Sequence, residues 1–191
     1  MQRIGLFGGS FDPIHTGHLL LAQAAIEELA LTRLCFILAA QSPFKVGQNF
    51  APAEARLQML RLALAGKTNC EVDEQEINRG GVSFAIDTVR DYARRFPQAQ
   101  LSYLIGADHV ANLQKWREPG ELARSVEFVV IPRPGSEAVT IPPPFCGRML
   151  TGFAVGVSAS QIRTRVKAGQ TIEHLVPAAV AEAVRNNQLY L

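Results

Sequence analysis

Apolar residues fall along this chain in two alternating kinds of run. Short, nearly unbroken ones end at glycine, proline or polar residues: Arg3–Gly8, Arg33–Ala40, Leu101–Ile105 and Val126–Ile131. Runs of that length and composition predict strands covered on both faces. Cys70–Ile77 alternates like a strand nearer a sheet edge, and Met149–Val155 is a sixth strand candidate. Longer segments lie between them. His18–Leu29 is Ala/Leu-rich with Glu27 and Glu28 on its outer face. Pro52–Ala65 places apolar residues at Leu57, Leu60, Leu62 and Leu64 behind a proline in the first turn. Ser83–Phe96 stops at Pro97, and Ser160–Lys167 and Ala178–Asn186 close the chain as helices. Strands separated by helix-length segments imply βαβ units with right-handed crossovers. The expected fold is therefore α/β, a three-layer αβα arrangement around a mainly parallel sheet. Residues 1–191 are expected to form one domain, with the C-terminal helices from about residue 158 packed on it.

Composition narrows the function more than the fold. The chain has 191 residues, of which 48% are hydrophobic and 19% charged, as in an ordinary globular protein. A formal net charge of +2 is too small to argue for nucleic acid or a membrane surface, so any phosphate chemistry must come from locally placed groups. Cys35, Cys70 and Cys146 form no CxxC pair, and Cys35 sits inside an apolar run, which fits a reduced, cytoplasmic setting. A strand-like run begins almost at Met1, so no signal peptide is expected, and no apolar stretch reaches bilayer-spanning length. Residues 41–50 and 132–144 read as loops, the first a candidate lid. In such sheets ligands bind beyond the carboxyl ends of the strands. Gly8–Gly9, Gln41–Lys45, Gly106–Asp108 and Pro132–Arg133 all follow expected strands.

The most informative stretch is Gly8-Gly9-Ser10-Phe11-Asp12-Pro13-Ile14-His15-Thr16-Gly17-His18. The two glycines are expected to let the backbone turn and approach a ligand. Backbone N–H groups there, with those of the following helix N-terminus, would form a concavity suited to an anion. His15 and His18, three residues apart, would share a helix face and address the same phosphate, with Thr16 as the N-cap. Taken singly, each feature has an ordinary reading. A glycine pair after a strand is a turn, and two histidines at this spacing could bind metal, although no third ligand is evident. Ser158 and Asp108 could simply cap helices, and Trp116 could be core. Lys45 and Arg133 could be solvated loop charges.

The joint pattern resembles the nucleotidyltransferase superfamily with the (T/H)xGH motif, and most of all the nicotinate-nucleotide adenylyltransferase family. Ser83–Val89 (SFAIDTV), Leu104–Asp108 with Trp116 (LIGAD…W), Val157–Arg163 (VSASQIR) and Leu175–Tyr190 continue the resemblance in order along nearly the whole chain. Two positions depart from the family pattern: Ala85, where Thr is frequent, and the Ala159-Ser160 pair, where Ser-Thr is usual. The resemblance implies a Rossmann-like, HUP-type nucleotidyltransferase fold. It implies transfer of AMP from ATP to nicotinate mononucleotide, releasing pyrophosphate and giving the deamidated precursor of NAD.

Such a reaction brings together about four negative charges on ATP and about two on the acceptor phosphate. Like charges at contact repel by several kcal/mol unless neutralised. The expected ATP site comprises Gly8, Gly9, Ser10, Phe11, His15, His18, Ser158, Ser160 and Arg163, and by resemblance Gly106, Asp108 and Arg133 on the adenosine side. His18, supported by His15, would donate to the α-phosphate. Lys45 and Arg163 complete the expected catalytic set. Lys45, Ala85, Ile86, Thr88 and Trp116 would face the acceptor. Mg²⁺ would ride on phosphates and water rather than in a protein cage. His109 and His174 carry no assignment. ATP and nicotinate mononucleotide are the expected partners, with no nucleic acid or membrane, in a monomer or homodimer. Alternatives stay open at this stage: a sister transferase with another phosphate acceptor, the amide mononucleotide as acceptor, or a non-catalytic nucleotide- or RNA-binding module.

Overall fold

The computed structural model describes residues 1–43, 50–132, 139–153 and 155–191. Its centre is a six-stranded, wholly parallel sheet in the order β3-β2-β1-β4-β5-β6. The strands are β1 (Arg3–Gly9), β2 (Arg33–Leu38), β3 (Cys70–Asp73), β4 (Gln100–Gly106), β5 (Glu127–Ile131) and β6 (Gly147–Met149). The helices are α1 (Thr16–Glu28), α2 (Ala53–Leu64), α3 (Gln75–Arg79), α4 (Ala85–Arg95), α5 (Ala107–Val110), α6 (Pro119–Ser125), α7 (Ala159–Lys167) and α8 (Ala178–Asn186).

The period of two along each strand divides the core. Leu34, Phe36 and Leu38 of β2 join Phe7, Leu104 and Val129 on one face, under α1, α2, α7 and α8. Cys35 and Ile37 join Ile4, Leu6, Tyr103 and Phe128 on the other, under α4, α5 and α6. Burial on both faces explains why these strands read as continuous apolar runs. The three-layer α/β expectation holds, and the fold is Rossmann-like.

Several expected bounds change. Cys70–Ile77 is strand only to Asp73, because the Asp73 carboxylate accepts the Gln75 N–H at 2.8 Å and turns the chain into α3. The sixth strand lies earlier than Met149–Val155: it is Gly147–Met149, and among the described residues pairing with β5 ends at Met149. In α2, Leu62 points outward at 37% exposure while Arg56 is buried at 3%. The short helices α3, α5 and α6 carry no clear period along the sequence.

From β1 the chain builds outward through β2 to β3, then returns to the far side of β1 to lay down β4. Strand order therefore reverses between β1 and β4, and a crevice opens beyond their carboxyl ends.

Gly5, in the central strand, leaves the space that Leu31 and Leu34 fill; an added Cβ would lie 2.6 Å from a methyl of each. Gly5→Ala should therefore cost about 1–3 kcal/mol of unfolding free energy. Urea titration checks this, and an unchanged midpoint would contradict it.

Candidate active site

A cavity of about 310 Å³ occupies the crevice. Its wall includes Gly8 to Asp12 from the end of β1, His18 from α1, Ile105 and Gly106 from the end of β4, Phe84 and Ala85 at the start of α4, and Trp116, Ala159 and Arg163.

The chain leaves β1 differently from the expectation. Gly8 and Gly9 still belong to the strand, and neither has a positive φ. They supply room instead: an added Cβ would lie 3.0 Å from the Tyr103 hydroxyl at Gly8 and 3.0 Å from the Phe11 ring at Gly9. The left-handed residue of the turn is Phe11, at φ +43°. Its buried ring packs edge-on to Phe7, with centroids 5.6 Å apart, and such packing can hold an unfavourable φ.

The two histidines do meet, but only His18 lies on the helix itself. His15, not Thr16, is the N-cap of α1. Its Nδ1 accepts the His18 N–H at 3.4 Å, and His18 Nδ1 accepts the His15 N–H at 3.2 Å. Each ring fills the place of one member of a reciprocal capping box. The rings stack with centroids 3.7 Å apart. A ring nitrogen that accepts a hydrogen bond carries no proton, so the neutral His18 ring bears its proton on Nε2. His15 is buried and not on the cavity wall, and burial lowers it from 6.5 to about 4.

Arg163 joins α7 to the turn. Its guanidinium donates to the Asp12 carbonyl at 2.8 Å and to Ser160 Oγ at 3.3 Å, and lies 3.9 Å from Asp12 Oδ2. Ser158 caps α7 through Gln161, and neither Ser158 nor Ser160 is on the cavity wall. At the other end of the cavity, Ala85 and Trp116 line the wall. Ile86 and Thr88 do not: both are buried, and the Thr88 hydroxyl donates to Glu76 at 2.5 Å. The start of α4 has no side-chain cap, so its first N–H groups open near Phe84 and Ala85. Asp108 lies beside Gly106, where an added Cβ would approach its Oδ1 to 2.5 Å. Lys45 and Arg133 lie outside the described residues.

The sequence reading missed Asp12, Glu76, Ser83, Tyr103, His109 and Arg117, all on the wall. Burial pushes the Glu76 carboxyl up, against hydroxyl donors from Thr88 and Ser83. The Arg117 guanidinium sits 4.8 Å over the Phe84 ring. Asp12 and Ser83 belong to motifs quoted above, and Tyr103 and Glu76 to expected strands, whereas His109 and Arg117 lie on segments without a strong period.

A cytidylyltransferase-like family model matches residues 6–165. A Thermus thermophilus protein described as "probable nicotinate-nucleotide adenylyltransferase" is 42% identical, over 99% of this chain and all of its own. One of the same description from Opitutus terrae is 37% identical, over 99% and 98%. A Plasmodium falciparum nicotinic acid mononucleotide adenylyltransferase, solved in complex with NaAD, superposes with a TM-score of 0.79 at 15% identity, covering 100% and 98% of the two chains. At that identity the likeness concerns the fold alone.

The His15 cap makes stability depend on pH. As pH falls from 6.5 to about 4, the unfolded chain takes up this proton before the folded one. The contribution is complete above about 6.5 and declines below it, by about 3 kcal/mol at roughly 1.36 kcal/mol per pH unit. His15→Asn keeps a capping oxygen without titrating. Its melting temperature should fall less than that of the unaltered protein across this window, and parallel curves would sink the idea.

Proposed function

The chain belongs to the nicotinate-nucleotide adenylyltransferase family, and from that membership and its cavity we propose how the reaction runs: AMP passes from ATP to nicotinate mononucleotide, yielding nicotinate adenine dinucleotide and pyrophosphate. The observation that carries this reading is His18. Its Nδ1 is engaged at the helix start, so its donor is Nε2–H, on a ring lining the cavity beside Gly8–Phe11 where strand order reverses.

An oxygen of the acceptor phosphate attacks the α-phosphorus in line. The bond from that phosphorus to its bridging oxygen breaks, and pyrophosphate departs with the electron pair. No protein nucleophile is required; positioning and charge neutralisation do the work. His18 donates to the α-phosphate oxygen as charge grows there. Gly8, Gly9, Ser10 and Phe11 hold phosphates through their backbone, and Arg163 steadies the leaving pyrophosphate. His15 acts through His18, by fixing its tautomer. In place of Ser158 and Ser160 hydroxyls, this reading uses Ala159 and Arg163 at the start of α7. Gly106 and Asp108 serve the adenosine side. Trp116 stacks on the pyridine ring, and the uncapped start of α4 receives the acceptor carboxylate through backbone N–H groups. That role asks nothing of the side chain at 85, so Ala85 is compatible with it.

Mg²⁺, when bound, spreads phosphate charge and retains several waters. Asp12 Oδ2, buried on the wall with no hydrogen bond, fits as an acceptor for one of those waters. We read the chain as one catalytic domain, with the C-terminal segment tied to the site by the Tyr190 hydroxyl donating to Asp12 Oδ1 at 2.7 Å. Among the described residues no helix is long and apolar enough to cross a membrane. The cytoplasm, where both substrates occur, is the proposed location.

Initial rates with nicotinate mononucleotide and with its amide, measured side by side, should favour the acid. Equal or faster turnover of the amide would overturn the acceptor assignment. His18→Ala should lower kcat by about 10²–10³ in a protein that still melts cooperatively. Near-normal turnover of that variant would remove His18 from the reaction.

A further inference from the structure

Arg56 is a buried cation on α2 that forms its hydrogen bonds with backbone carbonyls rather than carboxylates. Its Nε donates to Ala51 O at 3.0 Å. One terminal nitrogen donates to Ser10 O and Ala39 O, each at 2.9 Å, and the other reaches Ala40 O at 3.5 Å. These carbonyls come from three separate stretches: the turn after β1, the end of β2 and the entry to α2. Burial draws the guanidinium down from its ordinary range, opposed by the charge of Asp12, without neutralising it.

The direction of these bonds matters. In a trans peptide the carbonyl and the next residue's N–H point opposite ways. Ala39 O faces Arg56, and the following Ala40 N–H donates away from it, to Ser83 Oγ at 3.0 Å, on a residue of the cavity wall. The same relation holds one stretch over. With Ser10 O drawn onto Arg56, the Phe11 N–H is directed away from Arg56, within the Gly8–Asp12 wall.

We propose that Arg56 is a positioning residue for ATP: from behind the wall it pins the Ser10 carbonyl and so aims the Phe11 N–H at the phosphates. This rests on the adenylyl-transfer reading above. A charge bound to the carbonyl end also polarises the peptide and strengthens its N–H as a donor. A lysine keeps the charge but cannot replace the planar fork that meets carbonyls from several directions. Arg56 bonds directly to the Ser10 carbonyl of the turn but reaches the start of α4 only through Ala39, Ala40 and Ser83, so its loss should fall mainly on ATP.

The test uses Arg56→Lys in the full-length protein, with an ATP analogue carrying a methylene at the α,β-bridge as probe. The expected result is cooperative melting, analogue affinity weakened about tenfold or more, and an acceptor KM changed less than about threefold. Unchanged analogue affinity overturns the proposal, as does an equal loss for both ligands. If the lysine variant does not fold, Arg56→Ala with millimolar guanidinium decides. Analogue binding restored by guanidinium, but not by ammonium, supports the role, and no restoration overturns it. Unaltered protein that binds the analogue yet forms no dinucleotide would defeat the adenylyl-transfer reading while leaving the Arg56 result readable.

Discussion

The turn between Gly9 and Thr16 has to carry a strand buried on both faces into a helix while its own backbone is mostly out of water. Unpaired polar groups there would each cost about 1–3 kcal/mol. Distant residues supply the partners. Arg56 takes the Ser10 carbonyl, Arg163 takes the Asp12 carbonyl, and Leu175 accepts the Thr16 N–H at 2.9 Å. Asp12, in turn, accepts from the Ala51 N–H and the Tyr190 hydroxyl. The turn is thus satisfied by α2, α7 and the C-terminal segment together, which is why the site draws on both ends of the chain.

That arrangement also sets the electrostatics. Both guanidinium groups donate to carbonyl oxygens of the turn, and Arg163 also lies 3.9 Å from the Asp12 carboxylate. The histidine pair contributes differently. Burial keeps His15 neutral at ordinary pH, and its partnership with His18 decides which nitrogen of His18 carries the proton. The helix cap and the candidate donor are one structure, so folding of α1 and orientation of His18 cannot be separated.

The other end of the cavity carries charge as well, from Glu76 and Arg117. Trp116 stands edge-on to Tyr103 and Phe128, with centroids 6.1 Å away in each case, and this packing limits where its ring can face. Glu76 lies behind the start of α4 in a chain of hydroxyl contacts through Ser83 and Thr88. The side chains at 86 and 88 support the helix from its buried face, while positions 84 and 85 meet the cavity.

Sequence alone determined the layer architecture. Parallel strands covered on both faces must be apolar throughout, and that continuity is visible without coordinates. It also pointed to the cavity wall, because Gly8–Phe11, His18 and Arg163 all come from motifs visible in the chain and all line it. What it left open was orientation. Three residues of spacing cannot tell two histidines on a helix face from a cap and its partner, because the helix start depends on a hydrogen bond rather than a period. Gly8 and Gly9 signal small side chains, but only the neighbours Tyr103 and Phe11 show that space, not a turn, is what they supply. Arg56 looks like any helix arginine until carbonyls from three stretches gather around it. Those roles are relations between segments far apart in the chain, and tertiary packing alone brings such segments together.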